Sequence, residues 1–368
     1  MQKKLIALAI ASLAAPAFAQ SNVTISGSLD AMYTQYTNDK AAGAMLNSGN
    51  GHGDTTHKTN RIAFKGTEDL GNGMKAFFEL EERFNLDTGA ENTNNAANTN
   101  AANARFGRSS WVGLQGGFGM VYLGRTPTAG DIVFGGGKIA SNDTIADWAS
   151  RKGGNFQDRQ ANGVLYRSPK MGPLSVNVST AVKERNDAAT PMGVSAALDF
   201  SRFFVEGAWQ KDGANARSNT LRNDASKSMW VNGGVKLGNY NVYAYVGKHK
   251  GYQSYDYTGA PLGRAPNEEL RYAVGADAKI GANGKLFTNI GVARGDSATN
   301  ANADTKYTAF NVAYQHSLSK RTSLIAAASY EREGYQSVNG AASYTSRDEG
   351  KGVRNNRLGM QVGVRHAF

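Results

Sequence analysis

The sequence predicts an all-β fold, a 16-stranded antiparallel transmembrane β-barrel with short turns at one end and long loops at the other. Three observations carry this. Apolar and polar residues alternate with period two from Val23 to Phe368, and helical spacing of apolar residues is sustained nowhere in that range. Short and long connections alternate strictly, eight long and seven short, which requires sixteen strands. No run of 18 apolar residues exists, so no helix spans a bilayer, and the mean hydropathy of −0.47 fits strands that give lipid only every second residue.

The first element is a leader. MQKKLIALAIASLAAPAFAQ places Lys3 and Lys4 ahead of an apolar core from Leu5 to Leu13, which ends before Pro16 and Ala17-Phe18-Ala19. Such a segment is too short to span a membrane and reads as a secretory signal peptide, residues 1–19, cleaved after Ala19. The remainder, 20–368, reads as one barrel domain. Two lysines leave with the leader, which takes the formal charge from +11 to +9. An exported chain without cysteine depends on a large core or hydrogen-bond network. Its arginines are spread along the whole length, and export argues against nucleic acid as a partner; the excess charge is either a solvated surface or an anion-attracting field inside a cavity.

The strands follow in order. In NVTISGSLDAMY, Val23, Ile25, Leu29 and Tyr33 face one way and Thr24, Ser26, Ser28 and Asp30 the other. In RIAFKG, Ile62 and Phe64 oppose Arg61 and Lys65. In MKAFFELEERF, Phe78, Leu80 and Phe84 oppose Lys75, Glu79, Glu81 and Arg83. Parity extended back from Val112 and Leu114 through Phe106 puts Arg105 with the polar set. Alternation continues in 174–182, 241–249, 306–316 and 323–333, and ends in LGMQVGVRHAF, where Met360, Val362, Val364, His366 and Phe368 form one row. Tyr33, Phe84, Tyr243, Tyr245, Tyr314, Tyr330 and Phe368 stand near strand ends, where interfacial aromatic girdles are expected.

The connections set the topology. Turn-like segments occur at 69–73, 116–117, 168–172, 201–202, 238–239, 281–284 and 317–320, and polar segments separate the pairs they join. The third long segment, 126–158, is the longest, and 89–104 is a low-complexity polar loop. Sixteen strands in an open sheet would leave two exposed edges. Closure removes them, and lipid enforces it, because an unpaired backbone group in hydrocarbon costs several kcal/mol. The polar row then lines a water-filled interior.

Five stretches in order, NVTISGSLDA, RIAFKGTEDLGNGMKAFFELE, SSWVGLQGGFGMVYLGR, GVLYRSPKMGPLSV and the terminal GVRHAF, resemble the trimeric general-diffusion porins of Gram-negative outer membranes in their beta-proteobacterial branch. The resemblance implies a homotrimer in the outer membrane, short periplasmic turns, long extracellular loops, and a third loop (126–158) folded inward as a constriction. It implies partners as well: outer-membrane lipid and lipopolysaccharide, the barrel-assembly machinery reading terminal Phe368, and small hydrophilic solutes and anions. It also implies a basic wall facing an acidic loop. Carried over by position, the wall arginines are Arg61, Arg125 and Arg167, and the loop acids are Asp131, Asp143 and Asp147. Strand parity independently puts Arg61 and Arg83 on the inner face; Arg125 shares the parity of Val121 and Leu123, so its inward aim needs a kink at Gly124.

Guanidinium groups stay charged and repel one another when clustered. The alternatives are wall-stabilising ion pairs with Glu79 and Glu81, or a transverse field that lowers the barrier for anions. No catalytic signature occurs: there is no Cys, no G-x-S-x-G and no H-E-x-x-H, and the adjacent Glu81 and Glu82 point to opposite faces. His52 and His57 share one loop, but solvated loop histidines account for them; no metal or cofactor is expected. The expected function is passive diffusion with anion preference. An adhesin or receptor acting through its loops, and a porin specialised for organic acids, are the alternatives.

Overall fold

The computed structural model describes residues 22–36, 45–47, 60–86, 89, 105–134, 144–146, 156, 158–182, 190–212, 226–250, 266–297, 305–335 and 354–368. The leader, Asp143, Asp147, His52, His57 and most of 89–104 lie outside them. Sixteen antiparallel staves form a closed ring. They are β1 (Asn22–Tyr36), β3 (Arg61–Gly71), β4 (Met74–Arg83), β5 (Ser109–Gly116), β6 (Gly119–Pro127), β7 (Arg159–Arg167), β8 (Leu174–Ala181) and β9 (Met192–Asp199). They continue with β10 (Phe203–Lys211), β11 (Lys227–Leu237), β12 (Tyr240–Lys250), β13 (Pro266–Ile280), β14 (Gly284–Ser297), β15 (Thr305–Ser317), β16 (Thr322–Tyr335) and β17 (Arg354–Ala367). A seventeenth strand, β2 (Met45–Asn47), is a three-residue piece of the first long connection paired to β1. The third long connection opens with a one-turn helix, α1 (Ala129–Val133).

The predicted connection pattern holds. Consecutive staves pair, and β1 bonds both β3 and β17, so no edge is left. The turn from β3 to β4 shows why these short connections are glycine-rich: Gly71, Asn72 and Gly73 all adopt positive φ (79°, 52° and 75°). A two-residue hairpin matches the twist of its strands through this left-handed backbone, which glycine and asparagine tolerate.

The wall is inverted relative to a soluble protein. Ser28, Asp30 and Thr34 are buried inside, whereas Val23, Ile25 and Tyr33 of the same strand are exposed outside. Val112 and Leu123 repeat the outward exposure, as do Val231, Val274, Ile290, Phe310 and Val362. Asn177, Ser195, Asn232, Asn289, Asn311 and Gln361 repeat the inward burial. Lipid covers the first set and hydrogen bonding satisfies the second, such as Asn311 Nδ2 to Asn289 Oδ1 at 2.7 Å.

The seam closes on the last residue. β1 from Ser28 to Tyr36 is registered with β17 from Ala367 back to Gly359. Gly27 and Phe368 then exchange both main-chain bonds, at 3.0 and 3.1 Å. A Cβ on Gly27 would meet the Phe368 ring at 2.5 Å, so glycine is what lets the terminal aromatic lie over the strand. On the inner side Arg365 Nε and Nη2 grip Asp30 Oδ2 at 2.8 and 2.6 Å, and Gln361 Nε2 donates to Thr34 Oγ1 at 2.9 Å. From Asn22 to Ser26, β1 pairs with β3 alone.

Two aromatics expected in the outer girdle are not there. Tyr243 and Tyr245 are buried inside, 9% and 4% exposed, while Val242 and Val246 hold the outward positions. In NVYAYVGKH both parities offer β-formers, and the valines take the lipid face because phenolic hydroxyls bond inside. Tyr243 Oη donates to Asp277 Oδ2 at 2.5 Å. Tyr33, Tyr314, Tyr330 and Phe368 do face outward.

Candidate functional site

The third long connection packs against the inner face of the barrel. Thr128 caps α1, accepting from the Asp131 main-chain N–H at 3.2 Å, and its own N–H bonds the Asp158 carbonyl at 3.0 Å, tying the outgoing end to the returning one. The Ala129 N–H donates to Ser179 Oγ at 2.9 Å, which anchors the helix to β8. Phe134 and Phe156 enclose Trp230 of β11, Phe156 stacked on it at 4.4 Å and Phe134 edge-on at 5.6 Å. Further on, Ile145 and Ala146 bury themselves among Tyr36, Phe287, Ala313 and Ala327. Gln361 accepts from the Ile145 N–H at 3.3 Å, and Asn289 donates to the Ala146 carbonyl at 2.9 Å. The connection is thus fastened to β8–β12 near its ends and to β14, β17 and β1 in its middle.

Glycine decides the first of these contacts. A Cβ on Gly130 would stand 2.5 Å from Gln210 Oε1 and 2.5 Å from the Trp230 ring. Gly130→Val is therefore expected to lift α1 from the wall while leaving the barrel folded. The check is limited trypsin digestion, with faster cleavage at Arg151-Lys152 expected in the variant; equal rates would show that the helix tolerates the side chain.

The long-loop ends of β3–β7 carry five arginines, one of which, Arg159, approaches Asp131 of α1. Arg61 is registered with Ser28 on one side and with Arg83 on the other, within the inward row that includes Ala63 and Glu81. Arg83 is 6% exposed, its Nε and Nη2 without hydrogen-bond partners, and neither Arg61 nor Arg83 forms an ion pair among the described residues. Arg108 is paired with Glu81. Arg159, the first residue of β7, bonds Asp158 at 2.7 Å and approaches Asp131 at 3.7 Å. Burial and the charge of Arg159 pull the Arg108 guanidinium below its ordinary pKa, against Glu81, Asp131 and Asp158, which raise it. An arginine remains a cation even so. Among the described residues five guanidinium groups meet four carboxylates, Glu79, Glu81, Asp131 and Asp158, and Glu79 is itself paired with Lys65 at 3.3 Å, a local excess of positive charge.

The kink expected at Gly124 is present. Gly124 has φ +129°, and the β6–β7 register shifts between Gly124 and Thr126. A bulge leaves an extra residue unpaired and bends its strand. The extra residue belongs to β7, where Ala161 and Asn162, the latter at φ +52°, stand against Arg125; toward β5 Arg125 stays paired with Ser110. Its Nε donates to the Gly107 carbonyl, and Asp158 and Arg159 are the charges that act on it.

Of the residues selected from sequence, the fold gathers Arg61, Arg83, Arg125 and Asp131, and Asp143 and Asp147 lie outside the described residues on either side of 144–146. Arg167 is at the far end of β7, next to a short turn, with Nε on Asn177 Oδ1 at 3.3 Å. Eight residues of strand separate it from Arg159, roughly 26 Å at about 3.3 Å per residue. Arg105 is exposed and precedes β5, which starts only at Ser109, so alternation could not be run back to it. Arg108, Arg159 and Asp158 were missed because they sit where strands meet connections, and periodicity is silent there. Basic residues next to a strand boundary, with an acid adjacent in Asp158-Arg159, were the available signal.

Comparison with known proteins agrees with this architecture. The family described as Gram-negative porin matches residues 5–336. The chain is 29% identical to the outer membrane porin protein 32 of Delftia acidovorans, over the full length of both. It is 26% identical to the major outer membrane protein P.IB of Neisseria meningitidis serogroup B, covering 96% of this chain and 99% of that one. Among solved structures it is similar to an anion-selective porin from Comamonas acidovorans, with TM-score 0.67, 21% identity and 95% and 100% of the two chains covered. It is also similar to the trimer form of OmpT from Vibrio cholerae, with TM-score 0.64, 14% identity and coverage of 95% and 99%.

Proposed function

The chain belongs to the Gram-negative porin family and is a porin of the outer membrane, and on that premise we propose that it forms a homotrimer of water-filled pores that pass small hydrophilic solutes passively and favour anions. The observation that carries the anion preference is the pair Arg61 and Arg83, two cations directly opposite on adjacent strands. Like charges in that relation destabilise a sheet. Wall-stabilising ion pairs explain Arg108 and Arg159, which have carboxylate partners; they do not explain a matched pair of arginines that has none among the described residues. A field role does.

In this reading the third connection narrows the lumen and acts as the constriction loop. Asp131 and Asp158, paired with Arg159, supply its acidic side, Arg61, Arg83, Arg108 and Arg125 the basic side, and Asp143 and Asp147 of the same segment, outside the described residues, are assigned to the acidic side from the family resemblance alone. A polar solute turns its dipole along such a field, and an anion trades hydration for guanidinium donors that are already in place. Arg167, nearer the short turns, acts as a second basic station along the path. The similar porin from Comamonas acidovorans is itself anion-selective, which supports the same direction here.

The test is conductance of the purified protein in a planar bilayer. Openings in groups of three and a reversal potential on the anion side of a salt gradient are expected. Single-step openings would refute the trimer, and a reversal potential at or beyond zero toward cations would refute the preference.

The same reading gives residues 1–19 as a leader removed on export, and makes lipopolysaccharide and the barrel-assembly machinery the partners of the finished barrel. Phe368 is the assembly signal. Deleting it also removes both bonds to Gly27, so Phe368→Ala, which keeps them, is the cleaner probe. A drop of about tenfold in outer-membrane yield is expected, with the single-channel conductance of the inserted fraction unchanged. Normal yield would assign the ring to packing alone.

A further inference from the structure

Aromatic rings stand on the inner wall in two different settings. On β11–β15 and β1 the third long connection covers them: Trp230, Tyr245 and Tyr307 form one buried cluster with Phe134, and Tyr36 and Phe287 another with Ile145 and Ala146. Phe204 and Tyr243 bury each other, with the Tyr243 hydroxyl on Asp277. On β4–β6 stands a separate group, Phe77, Trp111 and Tyr122, on which no loop residue packs among those described. Its rings meet edge to face in all three pairs, at 5.5 Å (Phe77–Trp111), 5.2 Å (Phe77–Tyr122) and 4.8 Å (Trp111–Tyr122). Tyr122 is buried, but Phe77 and Trp111 are partly exposed.

That exposure is toward the lumen. Phe77 shares the parity of the buried Glu81 and Arg83, and Trp111 that of the buried Ser109, whereas Val112, Leu114 and Leu123 take the lipid side. The register sets Phe77 opposite Gly113 and Gly113 opposite Tyr122, with Trp111 one inward position nearer the long loops. A Cβ on Gly113 would stand 2.7 Å from the Phe77 ring, so glycine leaves the floor on which that ring lies. Edge-to-face contact is an arrangement that aromatic quadrupoles favour, and it fixes the open ring faces before any solute arrives. Apolar surface left against water costs free energy. The other inward rings of the described wall avoid that cost by burial; Phe77 and Trp111 do not.

Cations flank the triad. One inward position nearer the short turns, a single row runs from Lys75 through Gln115 and Met120 to Arg167. Neither cation forms an ion pair among the described residues. Asp69 is registered opposite Lys75, but its Oδ1 accepts from the Gly71 N–H at 2.9 Å, and Arg167 donates to the neutral Asn177. On the other side Glu79, registered opposite Trp111, is held by Lys65 at 3.3 Å, and the arginine cluster lies beyond it. One inward step is two residues, about 6.6 Å of strand, a separation that one small aryl carboxylate bridges.

We propose that Phe77, Trp111 and Tyr122, together with Lys75 and Arg167, form a binding station in the lumen for small aromatic carboxylates. The aryl ring lies on the open faces of Phe77 and Trp111, and the carboxylate takes the ammonium or guanidinium group one step below. Such a solute meets the arginines of the constriction first and the triad next, whereas an aliphatic anion of the same charge gains only from the cations. This inference names a solute class for the channel and rests on the anion-channel reading.

The test titrates the full-length protein, purified in an uncharged detergent, with benzoate, cyclohexanecarboxylate and benzyl alcohol, following binding by saturation-transfer NMR of the ligand. Benzoate is expected to bind the wild type about fivefold more tightly than cyclohexanecarboxylate, which has the same charge and no π system. Benzyl alcohol, which has the ring without the charge, is expected to bind more weakly than benzoate. Phe77→Leu combined with Trp111→Leu should erase the preference for benzoate over the saturated acid, and Trp111→Phe should keep it. Lys75→Gln combined with Arg167→Gln should bring benzoate down to the level of benzyl alcohol. Equal binding of the two acids by the wild type overturns aryl recognition. A preference that survives the double leucine variant, or vanishes equally in Trp111→Phe, overturns the triad as its source. Benzoate binding undiminished by the double glutamine variant overturns the role of the two cations. Potassium chloride conductance and reversal potential of the same wild-type sample report on the channel reading by itself, so its failure is distinct from absence of the aryl preference.

Discussion

Exchanging Arg61 and Arg83 for glutamate is expected to carry the channel from anion to cation preference. Each exchange changes the local charge by two units, so the pair changes it by four. A unit charge about 10 Å from a passing ion acts on it in water with about 0.4 kcal/mol, and four units with about 1.7 kcal/mol. At about 0.1 M salt the Debye length is itself about 10 Å, which reduces this to about 0.6 kcal/mol. The effect has opposite sign for the two ions, so their permeability ratio moves by about 1.2 kcal/mol, close to tenfold. Reversal potential across a tenfold potassium chloride gradient is the measurement, and the shift should grow as salt is lowered. Because neither arginine forms an ion pair among the described residues, the exchange leaves Glu81–Arg108 and Asp131–Arg159 in place. An unchanged reversal potential would assign the arginines to the wall rather than to the solute path.

Arg365→Leu is expected to be the most damaging single change at the seam. It leaves the Asp30 carboxylate, 1% exposed, with Ser28 Oγ at 3.2 Å as a donor but without a countercharge. Removing one member of a buried ion pair costs about 3 kcal/mol, because the other remains desolvated and uncompensated. The converse change, Asp30→Ala, is milder, since the Arg365 side chain is 19% exposed and can reach water in the lumen. Urea midpoints followed by tryptophan fluorescence would rank the two. The double variant Asp30→Asn with Arg365→Gln should recover most of the loss, since it removes both charges and keeps hydrogen-bonding groups at registered positions. Equal midpoints for wild type and Arg365→Leu would mean that the seam is held by its backbone ladder alone.

Sequence and structure agree wherever one rule applied without competition. Period-two alternation sorted Ser28, Asp30 and Arg365 from Val23, Tyr33 and Val362 because water and lipid impose opposite demands on the two faces. The same rule placed Arg61 and Arg83 inside. It misplaced Tyr243 and Tyr245, where valine and tyrosine compete for the outer face and a hydrogen bond to Asp277 is available only within. It could not be extended to Arg105, because β5 had not yet begun.

What the sequence determined by itself is the set of local and neighbouring relations. It contains the alternation, the lengths of the connections, the number of staves, and the pairing of the last strand with the first that closure demands. A strand's face depends only on its own residues, and antiparallel neighbours are dictated by short turns. Tertiary structure alone decided which residues stand together in the lumen. Arg108, Arg159 and Asp158 join Glu81 and Asp131 because the β7 bulge beside Arg125, the close approach of Gly130 to Trp230 and the docking of Ile145 bring a long connection back onto the wall. Those contacts depend on strand height and on packing between distant segments, and a period of two carries information about neither.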